Sequence, residues 1–348
     1  VRGRLGEGAA WLERALELLP ADDEARPIAM ARLGSLESDL GNSTRAVELL
    51  VAAAAALRER GPHRDLVGTL VDLGACQMFG NDMAAAEATL QEALAVGAAC
   101  GDDLVNARGA LGGLAWAQGK LDEAIALFEK AVDACQSEAG GTRALHALSN
   151  LTGAYVDSGR YEEALVKAHE LLARCRDLGD APTACSAAFY LGLAHGGLDQ
   201  LDQAAAHLEA ALADVRLLDD RRTLGYIVTA LAEVRHRQGR RGDALALIDE
   251  AIRVAADTEN AAAVLTAALT MGDILCEIDP RRALTLLAGG RAVLDSAGGG
   301  MGGPAQAAFE VALAAARARL DPQVADAAVS AAAELSYEAL VEIALQGA

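Results

Sequence analysis

Leu111-Gly112-Gly113-Leu114-Ala115-Trp116-Ala117-Gln118-Gly119-Lys120-Leu121-Asp122-Glu123-Ala124-Ile125-Ala126-Leu127-Phe128-Glu129-Lys130-Ala131 reads as two helical stretches joined at a glycine. Ala124, Phe128 and Ala131 fall on one face of the second stretch, and Gly119 marks the turn before it. The same punctuation recurs along the chain. Aligned on one small residue, the copies fall at Ala46, Ala86, Ala124, Ala164, Ala204, Ala244 and Ala283, with spacings of 38 to 40 residues. Four residues later stands a bulky group in most copies: Leu50, Leu90, Phe128, Leu208, Ile248 and Leu287. Five residues before the marker is a turn signal, at Gly41, Asn81, Gly119, Gly159, Asp199 and Gly239. Seven before the turn is a small helix residue: Gly34, Gly74, Gly112, Gly192 and Ala232. Self-similarity at a fixed period is the mark of a solenoid, in which each unit buries its apolar face against its neighbours.

A glycine inside a helix costs about 1 kcal/mol relative to alanine. Its return at one repeat position therefore marks a place where two helices cross closely. Thr152 takes that place in one copy. This pattern resembles the tetratricopeptide repeat (TPR) over nearly the whole chain, with a period longer than the roughly 34 residues usual for it. The resemblance implies an all-α, right-handed α-solenoid of antiparallel helical hairpins. About eight repeats of about 40 residues would form a superhelix, followed by C-terminal helices. Helices are expected at 7–19, 24–40, 43–59, 64–79, 83–99, 103–118, 121–137, 142–158, 161–177, 182–197, 201–217, 221–238, 241–256, 260–277 and 280–295. Three more should follow at 305–320, 324–335 and 337–345, the last capping the stack. The expected division is a solenoid over 1–297, a glycine-rich loop at 298–304 and an irregular repeat with its capping helix at 305–348.

The first twenty residues read as the latter half of a repeat, with a turn at Gly3 and Leu12 and Ala15 in phase. An upstream helix covering Trp11, Leu12 and Leu16 is expected. The glycines at 298–303 lack the GxxxxGK[ST] spacing and a preceding strand, so a loop is expected there rather than a phosphate cradle.

Fifty acidic against thirty basic residues give a formal charge of −20, which repels a phosphate backbone and argues against nucleic-acid binding by this region. No run of eighteen apolar residues lacks charges or turn residues, so no membrane span is expected. Cys76, Cys100, Cys135, Cys175, Cys185 and Cys276 show no CxxC spacing and read as core residues of a reduced, cytoplasmic protein. Enzyme motifs such as HExxH and GxSxG do not occur. The six histidines are scattered over several repeats. The expectation is a non-enzyme with no cofactor and no metal.

In the family that the repeat resembles, the first helix of each hairpin lines a groove that holds a ligand. Carried over, the groove positions are Phe79, Trp116, His146, Asn150, Phe189, Tyr190, Tyr226, Thr229, Glu233 and His236. Aromatics with interspersed hydroxyls and amides suit a peptide or a small effector. The family's two-carboxylate clamp is not expected, because the clamp lysines are replaced by residues such as Gly68, Val71, Asn106 and Gly109. Arg235, Arg237, Arg240 and Arg241 span a hairpin turn and read as a solvated edge.

Residues 2–16 form a narrower resemblance: they are similar to the first repeat in the sensor arm of bacterial multidomain signal-transduction ATPases, regulators of the LuxR and antibiotic-regulator (SARP) type. That resemblance implies a regulatory arm of a transcriptional regulator, binding protein, peptide or a small-molecule effector. A homo-oligomer is a further option. The alternative is a free-standing scaffold or adaptor that joins proteins through its outer faces. In either case duplex DNA should give no gel shift with this region at physiological salt; a salt-sensitive micromolar complex would overturn the charge argument.

Overall fold

The computed structural model describes residues 2–80, 82–101, 104–135, 141–218, 220–257, 261–296 and 303–346. Among these residues there are eighteen helices and no strand. They are α1 (Arg2–Leu18), α2 (Ala25–Asp39), α3 (Ser43–Arg58), α4 (Arg64–Phe79), α5 (Met83–Cys100) and α6 (Val105–Ala117). Next come α7 (Leu121–Cys135), α8 (Thr142–Asp157), α9 (Tyr161–Leu178), α10 (Ala181–Gly197), α11 (Leu201–Leu218) and α12 (Arg221–Arg237). The series ends with α13 (Arg241–Asp257), α14 (Ala261–Leu275), α15 (Pro280–Ser296), α16 (Gly303–Ala318), α17 (Pro322–Ala332) and α18 (Tyr337–Leu345). The chain is thus the expected all-α solenoid of helical hairpins. One detail differs: α1 starts at Arg2, so Gly3 lies inside a helix rather than at a turn. A glycine in a first turn is cheap, since the N–H groups there have no intrahelical partner to lose. The glycine run at 298–302 lies outside the described residues, and Gly303 and Pro304 open α16.

The turn inside each hairpin is built the same way. Asn42, Asp82, Lys120, Arg160, Gln200 and Arg240 each donate a backbone N–H to the carbonyl five residues earlier, at 2.8–2.9 Å. This closes the first helix as a Schellman motif, which needs a left-handed residue just before the donor. Gly119, Gly159 and Gly239 supply it with φ of 74°, 76° and 76°, and Asp199 does so without being glycine, at φ 59°. The carbonyl of the donor residue then accepts the N–H of the marker alanine, as Lys120 does from Ala124 at 3.0 Å, and the second helix begins at once. Two first helices, α10 and α12, start on an aspartate cap, with Asp180 and Asp220 accepting the N–H of Thr183 and Thr223 at 3.1 Å.

The hairpin is locked where its two helices cross. A Cβ built on Gly34, Gly74, Gly112, Gly192 or Gly272 would stand 2.5–2.8 Å from Leu50, Leu90, Phe128, Leu208 or Leu287 respectively. Each bulky side chain therefore lies directly on the glycine backbone of its own partner helix, fully buried or nearly so. The fourth copy reverses the sizes. Thr152 stands where five copies carry glycine and one carries Ala232, and Ala168 where the others carry leucine, phenylalanine or isoleucine; both are completely buried.

The chain divides into two compact units, residues 1–147 and 148–348, with the boundary inside α8. In the first, separate apolar clusters form between neighbouring hairpins, around Leu50 and Leu73, around Leu57 and Leu70, and around Leu90 and Leu111. In the second, a large cluster runs from Cys185 to Ala344, and a smaller one gathers around Ala255, Ala263 and Val264. At its end α16 packs on α14 and α15, α17 on α15, and α18 on α13, α14 and α15. Arg282 donates to the carbonyls of Ile343 and Ala344 at 3.2 and 3.0 Å, holding the last turn of α18.

The lock makes a quantitative claim. Gly192→Thr should destabilise by about 1–3 kcal/mol through overpacking, and Leu208→Ala by about 2–5 kcal/mol through a cavity. The double variant rebuilds the Thr152–Ala168 arrangement and should cost at least about 1 kcal/mol less than the sum. Strict additivity in denaturant melts would show that the two positions do not meet.

Candidate functional site

The first helices of the second unit carry the larger half-exposed side chains on one face. Positions 40 residues apart repeat it: Ser149, Phe189 and Thr229 form one row, and Glu233 and Asp273 another. The rings of Phe189 and Tyr190 lie 5.8 Å apart at 40°, half-buried on α10. The Ser149 side chain on α8 lies within reach of the Tyr190 phenol. This phenol is pushed above its ordinary value by burial, with nearby Asp157 adding to the rise and Ser149 opposing it. Asn150 is half-buried one residue further along α8.

Beyond the aromatics the face turns acidic. Burial raises the Glu233 carboxyl above the usual range; Arg237 opposes this and the charge of Asp273 adds to it. Arg237 is 3.8 Å away, yet the Glu233 side chain is still 52% exposed, so it is crowded by atoms but reachable by water. Asp273 is raised too, first by burial, and His236 is its opposing neighbour with Nε2 at 3.9 Å. Nδ1 of His236 is buried without a hydrogen-bond partner.

Other groove positions have different employment. Thr229 is buried and its hydroxyl donates to the Gly225 carbonyl at 2.8 Å, so that proton is engaged within its own helix. Tyr226 packs against Ala255, Ala263 and Val264, the cluster that Tyr337 and Val341 of α18 also cover. In the first unit Trp116 stands edge-on to Phe128 at 6.1 Å and 79°, which ties it to that hairpin's lock. His146 is exposed on α8. Phe79 ends α4, and its side chain lies outside the described residues.

Periodicity within first helices did not point to Tyr161, which opens α9. Its ring lies so close on Gly197 that a Cβ there would be 2.3 Å from it. The Tyr161 phenol is raised by burial and by Glu233 and Asp157, against Arg237, so it belongs to the same electrostatic neighbourhood. The signal was present in the Gly196-Gly197 pair, where other copies carry the charged Asp157 and Arg237.

The arginine cluster departs from a solvated edge at one member. Arg235 is 9% exposed, and its guanidinium is held by Glu209 and by Gln238. Gln238 in turn donates to Asp202 at 3.0 Å. Arg235, Gln238 and Asp202, with Asp199, Leu201 and Arg240, line a hollow of about 530 Å³ whose charges are already paired. His195 stacks on His207 with ring centroids 5.3 Å apart, and its Nδ1 is 2.6 Å from Gln200 Oε1. Among the described residues no three His, Cys, Asp or Glu side chains form a group able to hold a metal ion, and no helix is long and apolar enough to cross a membrane.

The raised Glu233 carboxyl fixes the sign of a pH test. A carboxylate held above its unfolded value opposes folding once pH exceeds the unfolded value. Glu233→Gln should therefore raise the melting temperature at pH 7.5, and the gain should shrink as pH falls toward 4, where the parent protonates. A fall in melting temperature at pH 7.5 would contradict the assignment.

Residues 103–168 match the family model described as tetratricopeptide repeat. No curated protein sequence matches the chain. Among solved structures, a Rap protein complexed with competence and sporulation factor superposes with a TM-score of 0.69 at 16% identity, over 96% of this chain and 90% of that one. Aspartyl phosphate phosphatase F from Bacillus subtilis gives 0.59 at 12% identity, over 97% and 94%. The Rap conjugation gene regulator of plasmid pLS20, in complex with the Phr* peptide, gives 0.54 at 13%, over 96% and 98%. At these identities the likeness is one of fold: the chain shares the helical-hairpin solenoid of these structures, and its residues 103–168 match the tetratricopeptide-repeat model.

Proposed function

We propose that the chain is a non-catalytic binding arm that takes a protein or peptide partner on the first-helix face of its second unit. The observation that carries this reading is the half-buried Phe189–Tyr190 pair of α10, with Ser149 of the preceding first helix at its side. Paired aromatics with adjacent polar groups are what interface anchors are made of. Two structural neighbours are described as complexes, with competence and sporulation factor and with the Phr* peptide, which supports a peptide-sized ligand on this type of fold. The similarity of residues 2–16 to the sensor arm of LuxR- and SARP-type regulators supports a place in a larger cytoplasmic bacterial regulator, where occupancy of the arm would control signal transduction and transcription.

A second reading has its own observation. Val166, Leu178 and Leu217 on the second helices α9 and α11 are 66%, 49% and 86% exposed, as an outer-face scaffold would need. Photo-crosslinking in cells separates the two. A crosslinker placed at Phe189 should capture a partner that one at Leu217 does not, and Phe189→Ala with Tyr190→Ala should weaken that partner about thirtyfold or more while helical circular dichroism persists. Capture from position 217 alone, or unchanged affinity in the double variant, would move the function to the outer face.

A further inference from the structure

The chemistry of the occupant can be read from the same face, an inference that rests on the reading above and deepens it. Glu233 and Asp273 hold equivalent positions in consecutive repeats, with side chains 52% and 49% exposed. Neither is well neutralised. Arg237 approaches Glu233 only to 3.8 Å and gives its closer contact, 3.0 Å, to Asp199. His236 stands 3.9 Å from Asp273 and counts as a cation only when protonated. The contrast is with Glu277, four residues past Asp273, which is held by both Arg241 and Arg319. Like charge also accumulates: Asp273 acts on Glu233, and Asp157 acts on Tyr190 and Tyr161. The chain as a whole adds a formal charge of −20.

An under-neutralised carboxylate pair on α12 and α14, one and two repeats on from the Phe189–Tyr190 pair of α10, is complementary to a cation with an apolar flank. We propose that the occupant of this face is an extended basic peptide segment, with a lysine or arginine between Glu233 and Asp273 and an apolar side chain against Phe189 and Tyr190. The dimensions agree. Neighbouring helices pack roughly 8–10 Å apart, so the path from α10 across α12 to α14 is roughly 20 Å. An extended segment covers that in about six residues at roughly 3.3 Å each. A nucleic acid is excluded as occupant by the same charges, and an acidic peptide would meet repulsion at two successive repeats.

The test is selection from a random heptapeptide library displayed on phage, using the whole chain as bait. Selected peptides should be enriched in Lys and Arg next to an apolar residue. A synthesised winner should lose about tenfold or more in affinity against Glu233→Gln/Asp273→Asn. Against Glu123→Gln/Glu162→Gln, which removes the same charge from exposed second-helix positions, it should change less than about twofold. Circular dichroism on each variant checks folding, and Glu233→Gln alone should show a reduced form of the same loss. No enrichment, or enrichment of non-basic peptides, overturns the proposal, as does an equal loss with both double variants, which would mean diffuse attraction to net charge. Failure of the deeper reading is distinguishable from failure of the docking face. A winner weakened by Phe189→Ala/Tyr190→Ala but not by Glu233→Gln/Asp273→Asn keeps the face and removes the charge inference. A winner indifferent to both removes the face as well.

Discussion

Everything in this chain depends on how closely two helices approach within one hairpin. A glycine on the first helix lets the leucine or phenylalanine of the second lie on bare backbone, and the Cβ that would keep them apart is missing. The helices then come near enough for the marker alanines to be wholly buried. A glycine in a helix interior is unfavourable by itself. It persists because the packed side chain above it contributes more, through dense dispersion contacts and removal of apolar surface from water. With the crossing fixed, the Schellman turn fixes the entry to the second helix, and the remaining faces have only neighbouring repeats to pack against.

Much of this was legible in sequence because it is periodic. The helix boundaries fall within a few residues of those expected, since turn residues and apolar spacing agree in copy after copy. The partner of each glycine was nearly legible too. It lies sixteen residues on in four copies, from Gly34 to Leu50 through Gly192 to Leu208, and fifteen on from Gly272 to Leu287. Even the exception obeys the rule, because Thr152 comes with Ala168.

The binding face was legible only as a list of positions. Repeat register says which residues sit on the first-helix face, but not what they already touch. Thr229 looks like a ligand group until its hydroxyl is seen to serve the Gly225 carbonyl. Tyr226 looks like the neighbour of Tyr190, yet it joins a seam with the C-terminal helix, 111 residues further on at Tyr337. Conversely, Tyr161 begins a second helix and was invisible to first-helix register, although its ring covers Gly197. Aspartate at 273 drew no attention because a lone carboxylate at a helix surface is ordinary; its significance comes from Glu233 one repeat earlier.

Because each glycine and its covering side chain lie inside one hairpin, the hairpin is also a unit of inheritance. A duplication or deletion that cuts in the loops between hairpins moves complete locks and leaves every crossing matched. A recombination that cuts at the turn does not. Joining α8 to α11 would set Thr152 under Leu208, and joining α10 to α9 would leave Gly192 under Ala168 with a void between. The size-reversed fourth copy can therefore be exchanged only whole, which lets an array of otherwise interchangeable repeats keep its order over time.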